Sequence, residues 1–561
     1  MRIGIDVGGT NTDAVAVEGG RVVKAVKTPT TKDVGDGIRK ALAELLEGLD
    51  RRAVTAVMLG TTHFANAVVE RRRLTPTAAV RLCLPAGASL PPMCDWPRDL
   101  RAIVDAGVYL TTGGLEFDGR PIAELDEAHL RRIGRELRER GVEAVAVSAV
   151  FSPLNAEMEE RAAAILREEL PGAVITRSTE IGRMGLLERE NAAILNASLV
   201  RLAREIVAAF KRALTDLGLD APFYITQNDG TLVRAEVAAE TPVVTFSSGP
   251  TNSMRGAAFL TGESDAVVVD IGGTTSDVGV LVRGFPRPAA ATVEVGGVRT
   301  NFRMPDVYSL GLGGGSIVQW EPFAVGPKSV GYELTRKARV FGGDVWTATD
   351  LAVAAGYADV GDRSLLPTVE RSKVEAAVER MHVMLEEAID RMKTSAEPVP
   401  AIVVGGGSIL VRRPLAGTSR TLKPEHFAVA NAIGAAIAQV GGEVDRIVSY
   451  EGGRRKEVLK ALQEEAVARA VEAGADPRTV QVVDLEEVPL AYLPGDAARV
   501  RVKAVGDLDE RAVAAAPRAQ TPAAPGAQTP AAYGAATGAA AGAGAPPAPA
   551  PRTAEKEARP R

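Results

Sequence analysis

The stretch Arg2–Gly20, RIGIDVGGTNTDAVAVEGG, returns in altered form as DAVVVDIGGTTSDVGVLVRG over Asp265–Gly284. Asp6, Gly8, Gly9, Thr10 and Asp13 are matched by Asp270, Gly272, Gly273, Thr274 and Asp277, each 264 residues further on. In both copies an apolar strand runs into Gly-Gly-Thr and a second apolar strand leaves it, the pattern of a tight hairpin. Glycines there let backbone N–H groups face an anion with no Cβ in the way, and Thr and Ser hydroxyls add donors. Asp6 and Asp270 sit at strand ends, where they suit Mg2+, an ion that keeps much of its hydration shell and prefers oxygen ligands. One such hairpin could be a turn and nothing more. Two at a fixed offset predict two related lobes.

Outward from the first hairpin, RVVKAVKTP reads as a third strand, followed by a helix over 34–49 with Ile38, Leu42, Leu45, Leu46 and Leu49 on one face. Then come the strand AVTAVMLGTT, a helix around ANAVVERR, a helix over 127–140, the strand EAVAVSAVF and a helix over 155–170. Strands alternating with helices give an α/β class with largely parallel sheets. A long helix near 184–217 is expected to bridge the lobes, and Phe427–Val440 reads as a buried helix interrupted by Asn431 and Gln439. Residues 445–505 show strand, helix and two strands, a small α+β appendage. The expected organisation is an N-terminal lobe over 1–183, a second lobe over 184–444, the appendage over 445–508, and an Ala/Pro/Gly-rich disordered tail over 509–561.

The 561 residues exceed the prior for a single domain several-fold. Lys and Arg number 66 against 71 Asp and Glu, a net charge of −5, so the chain lacks the basic footprint of a nucleic-acid or anionic-membrane binder. No apolar run approaches membrane-spanning length and the N-terminus shows no signal-peptide pattern. Cys83 and Cys94 form neither a zinc cluster nor a disulfide framework, which fits a reducing, cytoplasmic setting. His63, His129, His382 and His426 are scattered without metal-ligand spacing, and no Ser-His-Asp or Cys-His pairing is apparent.

A third glycine cluster, Gly405, Gly406, Gly407 and Ser408, follows the apolar strand PAIVV. A strand ending in glycines lets a flat ring or ribose approach the main chain, as an adenosine site requires. LGLGGGSI (310–317) and SSGPTNSMRGA (247–257) read as further phosphate-side or substrate-side loops.

In this order, DVGGTNTD, DIGGTTSD and VGGGS resemble the phosphate-1, phosphate-2 and adenosine motifs of the actin, sugar-kinase and Hsp70 ATPase superfamily. More narrowly, GIDVGGTNTDAV, LGTTHFANAVVER, SSGPTNSMRGA, DIGGTTSDVGV and LGLGGGSI are similar to the hydantoinase A and 5-oxoprolinase family, over about residues 1–500. The resemblance implies two actin-like ATPase lobes around a cleft and ATP-dependent opening of a cyclic amide such as a hydantoin or 5-oxoproline. A separate B-type subunit is the implied partner. Related subunits serve acetone or acetophenone carboxylases, the nearest alternative, and a nucleotide-binding regulator or sugar-kinase relative is the reading outside that chemistry.

Carried onto this chain, the resemblance has Gly8, Gly9, Thr10, Thr12, Gly272, Gly273, Thr274 and Thr275 grip phosphates, and Gly405, Gly406 and Gly407 face the adenosine. Asp6, Asp13, Asp270 and Asp277 would handle Mg2+ or position the attacking oxygen, with Asp6 and Asp270 as the metal carboxylates. An amide resists hydrolysis through resonance; phosphorylating its oxygen creates a leaving group, and that transfer needs charge neutralisation and alignment more than covalent help. His63, in GTTHFANA beside Thr61, Thr62 and Asn66, is a candidate base or donor near the substrate, at a position where the family more often has a small or apolar residue; a helix-capping turn is its plainer role. Asp229, in TQNDG, is a strand-end carboxylate open to either a functional or a turn role.

Overall fold

The computed structural model describes residues 1–8, 11–29, 34–289, 292–491, 493 and 495–510. Gly9, Thr10 and the tail from residue 511 onward lie outside the described residues.

The chain opens with the three expected strands, β1 (Arg2–Val7), β2 (Asn11–Glu18) and β3 (Arg21–Pro29), then α1 (Val34–Leu46), β4 (Ala56–Thr61) and α2 (His63–Val69). Ile3 and Ile5 of β1 are fully buried with Ile38, Leu42 and Leu45 of α1, so the period of two in the strand meets the period of 3.6 in the helix across one core. A four-stranded parallel sheet follows, built from β5 (Thr77–Leu84), β6 (Asp105–Thr112), β7 (Ala144–Ala149) and β8 (Val174–Arg177) in the order β6-β5-β7-β8. α3 (Glu127–Glu139) and α4 (Glu157–Glu169) cover it through Leu130, Ile133, Leu137, Ile165 and Leu166.

α5 (Leu186–Asp216) joins this small sheet to the rest of the molecule and is buried along most of its length. Polar side chains on its first turns anchor it. The Glu190 carboxylate accepts from Arg81 Nε at 2.8 Å, Arg81 Nη2 at 2.6 Å and Ser148 Oγ at 2.6 Å. Next to it the Arg189 guanidinium donates to the Ala149 carbonyl at 2.6 Å. The charges are satisfied from several sides, as a buried charge requires.

After β9 (Phe223–Thr226), β10 (Thr231–Arg234) and α6 (Ser248–Thr261), a second sheet begins with β11 (Ala266–Ile271), β12 (Ser276–Val282) and β13 (Phe285–Pro286). From β13 an arm crosses back as the hairpin β14 (Val293–Val295) and β15 (Val298–Thr300), so that Val295, Val298 and Phe302 sit in the first core. The chain returns at β16 (Val307–Leu310), makes the hairpin β17 (Ser316–Trp320) and β18 (Phe323–Ser329), and runs through α7 (Arg371–Met392) to β19 (Val399–Val404) and β20 (Thr418–Leu422). The second sheet has the order β13-β12-β11-β19-β20, with β16 also paired to β12.

Phe427–Val440, read as one buried helix, divides in two: α8 (Ala430–Ala436) is helical, and β21 (Gln439–Ser449) starts a strand. β21, α9 (Arg455–Glu472), β22 (Gln481–Pro489) and β23 (Ala497–Gly506) follow. Their strands extend the first sheet, whose full order is β22-β23-β21-β10-β9-β4-β1-β2-β3. Between the two sheets, α6 and α8 cross with their backbones in contact. A Cβ at Gly256 would lie 1.9 Å from the Ala430 carbonyl oxygen, and one at Gly434 would lie 1.9 Å from that of Asn252. Among the described residues no helix is long and apolar enough to cross a membrane.

Candidate functional site

The two hairpins are structural repeats as well as sequence repeats. Asp6 of β1 pairs with Asp13 of β2, and Asp270 of β11 pairs with Asp277 of β12, in the same antiparallel register. The Gly8 N–H donates to the Asn11 carbonyl at 3.0 Å, and the Gly272 N–H donates to the Thr275 carbonyl at 2.9 Å, closing equivalent loops. In each sheet a glycine near the end of the neighbouring parallel strand is pressed on the aspartate. A Cβ at Gly60 would lie 2.6 Å from Asp6 Oδ1, and one at Gly405 would lie 2.2 Å from Asp270 Oδ1. Gly405 also has φ +84°, a conformation that any Cβ would strain. Gly60 was not singled out by the sequence because its role depends on the pairing of β1 with β4.

The loop before β17 lies on the second hairpin: Gly314 N–H donates to the Gly272 carbonyl at 3.0 Å and Gly315 N–H to that of Gly273 at 2.7 Å. Thr274 and Thr275 are exposed at the tip, Gly406 is exposed, and Gly407 is buried against Ile271. Thr12 is buried, and its Oγ1 has no protein partner.

The two sheets bring the carboxylates together. Asp6 is 6% exposed; Asn431 Nδ2 donates to its Oδ2 at 2.8 Å, and its Oδ1 has no partner. Burial, then the charges of Asp13 and Asp270, push the Asp6 carboxyl up to about 8. Burial also raises Asp270, although Ser253 Oγ donates to its Oδ2 at 2.5 Å. Asp13 is raised by burial too, against the pull of Lys27, whose Nζ lies 2.7 Å and 2.9 Å from its two oxygens. Asp277 accepts from Ser309 Oγ, and burial followed by the nearby Asp270 charge brings it to about 6. Lys27 and Asn431 carry no motif that marks them in the sequence, and tertiary placement alone brings them here; Ser253 belongs to the SSGPTNSMRGA stretch already read as a phosphate-side or substrate-side loop.

Opposed carboxylates with an unpaired buried oxygen suit a hydrated divalent cation. Among the described residues no three His, Cys, Asp or Glu side chains form a metal-holding group. The cost of the crowding has a pH signature. A carboxyl raised in the folded chain from its ordinary value near 4 binds more protons there than in the unfolded chain, so its contribution to stability falls as pH rises between about 4 and about 8. Asp6→Asn is therefore expected to melt higher than wild type at pH 8 in metal-free buffer, with the difference shrinking towards pH 4. A pH-independent difference would remove Asp6 from this account.

His63 begins α2 just past Gly60, and its Nδ1 lies 2.7 Å from Thr61 Oγ1. Burial, with the Arg73 charge, lowers its pKa, so the ring is neutral at neutral pH. Asp229 is tied to β23: burial pushes it up, but Lys503 Nζ at 2.8 Å and Thr231 hold it at about 2. Among the described residues, the hydrogen-bond and ion-pair partners of Asp229 are Thr231 and Lys503, outside both hairpins.

Comparison with known proteins bears on the fold and the family. The chain is similar to the caprolactamase subunit alpha of Pseudomonas jessenii, 27% identical over 468 residues, which is 78% of this chain and 65% of that one. It is likewise similar to the acetophenone carboxylase gamma subunit of Aromatoleum aromaticum, 27% identical over 396 residues, 63% of this chain and 53% of that one. It thus spans between about half and two thirds of these relatives' lengths. The ATP-dependent caprolactamase of Pseudomonas jessenii superposes with a TM-score of 0.72 at 20% identity, over 90% of this chain and 87% of that one. Nucleotide-free acetone carboxylase superposes with a TM-score of 0.67 at 17% identity, over 91% and 88%. These two likenesses show the fold. Residues 2–170 match the hydantoinase/oxoprolinase N-terminal region and residues 189–405 match hydantoinase/oxoprolinase, so the chain belongs to the hydantoinase/oxoprolinase family.

Proposed function

We propose that this chain is the nucleotide-handling part of an ATP-dependent enzyme that phosphorylates the carbonyl oxygen of a cyclic amide and so activates it for ring opening. The observation that carries the proposal is that Asp6 and Asp270, at matching places in two hairpins on two sheets, each have a glycine pressed on the carboxylate and lie near enough for the Asp270 charge to act on Asp6. In this reading the loops Gly8–Thr12 and Gly272–Thr275 hold phosphates through main-chain N–H and hydroxyl groups, and Gly405–Gly407 face the adenosine. Asp6 and Asp270 would hold Mg2+, which supplies charge neutralisation for the phosphates when bound. Neutral His63 accepts the amide proton as the oxygen is phosphorylated, with Thr61 fixing its ring. Caprolactamase among the relatives favours a lactam, and their subunit names favour a partner chain, of B type, that completes the reaction.

The test is ADP release by the purified chain with Mg2+ and ATP, alone and with its partner, against hydantoin, 5-oxoproline, caprolactam, other lactams and acetone. Stimulation by a cyclic amide is expected. The similarity to acetophenone carboxylase gamma subunit favours a second reading, in which a ketone enol is phosphorylated; stimulation by acetone with bicarbonate uptake, and by no amide, would replace the first reading with it.

A further inference from the structure

Lys27 stands between the first hairpin and the third glycine cluster. It is the cross-strand partner of Asp13 in the β2–β3 ladder, and its Nζ donates to both Asp13 oxygens and to the Ala428 carbonyl at 3.1 Å. Ala428 lies in the connection from the second sheet to α8, so this one ammonium spans the junction. A Cβ at Gly406, in the third glycine cluster, would sit 3.6 Å from Lys27 Cε and 3.9 Å from Nζ. The Lys27 charge also acts on Asp6 and Asp270. Its side chain is 33% exposed, whereas that of Asp13 is 4% exposed, so the ammonium sits at the mouth and the carboxylate behind it.

The geometry points to Lys27 as the residue that reads the outer phosphates of the nucleotide: it holds Asp13 in the structure and passes its hydrogen bonds to phosphate oxygens entering between the hairpins. This rests on the proposal that the junction binds a nucleotide. An ammonium has three donors and no fixed fork, so it can exchange carboxylate and carbonyl partners for phosphate oxygens without a change of backbone. A triphosphate entering beside Asp6, Asp13 and Asp270 brings its own negative charge to a site already crowded with carboxylates. Among the described residues, Lys27 is the cation acting on all three of them. The exchange would also release Asp13 to face the reacting oxygen. A lysine serving only to tie the β2–β3 hairpin to residue 428 would instead affect every ligand alike.

The experiment is equilibrium binding of ATP, ADP and AMP, with Mg2+, to the full chain and to Lys27→Met, Lys27→Gln and Lys27→Arg, each checked by thermal melting. The neutral variants are expected to weaken ATP binding by about 30-fold or more, the scale of a lost charge-assisted hydrogen bond, while AMP binding changes by less than about threefold. Lys27→Arg is expected to recover most of the ATP affinity. Equal losses for ATP and AMP, or no loss, would overturn the inference while leaving the nucleotide site in place. A wild-type chain that binds none of the three would overturn both. A wild-type chain that shows the expected ATP selectivity without amide-stimulated ADP release would overturn the cyclic-amide reading alone.

Discussion

Asp270→Asn is expected to lower ATP turnover by about 100-fold or more while the chain remains folded, because on the proposed function it removes a charge that would face the cation and the phosphates without opening a cavity. The substitution preserves shape in a place with no spare room, where Gly405 already gives up its side chain to Asp270 Oδ1. The amide oxygen can still accept from Ser253. Burial raises the Asp270 carboxyl, so its charge costs folding free energy, and the neutral amide should melt at or above the wild-type temperature at neutral pH. A fall in turnover with unchanged or higher melting temperature separates chemistry from stability. Wild-type turnover would take Asp270 out of the site.

Glu190→Ala is expected to have the opposite profile, with a large stability loss of about 3 to 5 kcal/mol, because it leaves Arg81 charged and buried without its partner. The two side chains are 1% and 2% exposed, and Ser148 completes the carboxylate's hydrogen bonds. The pair joins β5 of the small parallel sheet to α5, so its loss should loosen the attachment of that sheet. Glu240→Ala is the control: Arg204 and Glu240 are 51% and 52% exposed, and an exposed pair of that kind contributes less than about 1 kcal/mol. Urea unfolding of both variants, compared at constant slope, measures the contrast. Equal midpoints would show that water reaches Arg81 freely.

Much of this molecule is legible in its sequence, for local reasons. The β1–β2 and β11–β12 hairpins follow from apolar runs broken by Gly-Gly-Thr, and the facing of Asp6 with Asp13 and of Asp270 with Asp277 follows from strand geometry once the turn is placed. Helices α1, α3, α4 and α5 follow from their spacing of apolar residues. Partnerships over long separations do not follow in this way. The strands β21 and β23 have a clear period of two, but nothing in 439–506 states that they add to a sheet begun at residue 2. The apolar content of 427–440 is equally compatible with a buried helix and a buried strand, and the structure uses both. Lys27 and Asn431 look like an ordinary strand lysine and a flaw in an apolar run; each acquires meaning only from residues more than ten positions away. Asp229, ambiguous in its turn, takes its charged partner Lys503 from 274 residues further on.

The order of strands also governs how the chain is made. The second sheet draws all its strands from residues 266–422, whereas the first takes them from 2–61, 223–234 and 439–506. During synthesis the Asp270 sheet can therefore close while the older Asp6 sheet still lacks three strands. Until β21 emerges, β10 is an open edge in the nascent chain, and translation of 439–506 prolongs the incomplete state by roughly 3 to 14 seconds at ordinary elongation rates. β10 is only four residues long, a brevity that offers a neighbouring nascent chain little to pair with.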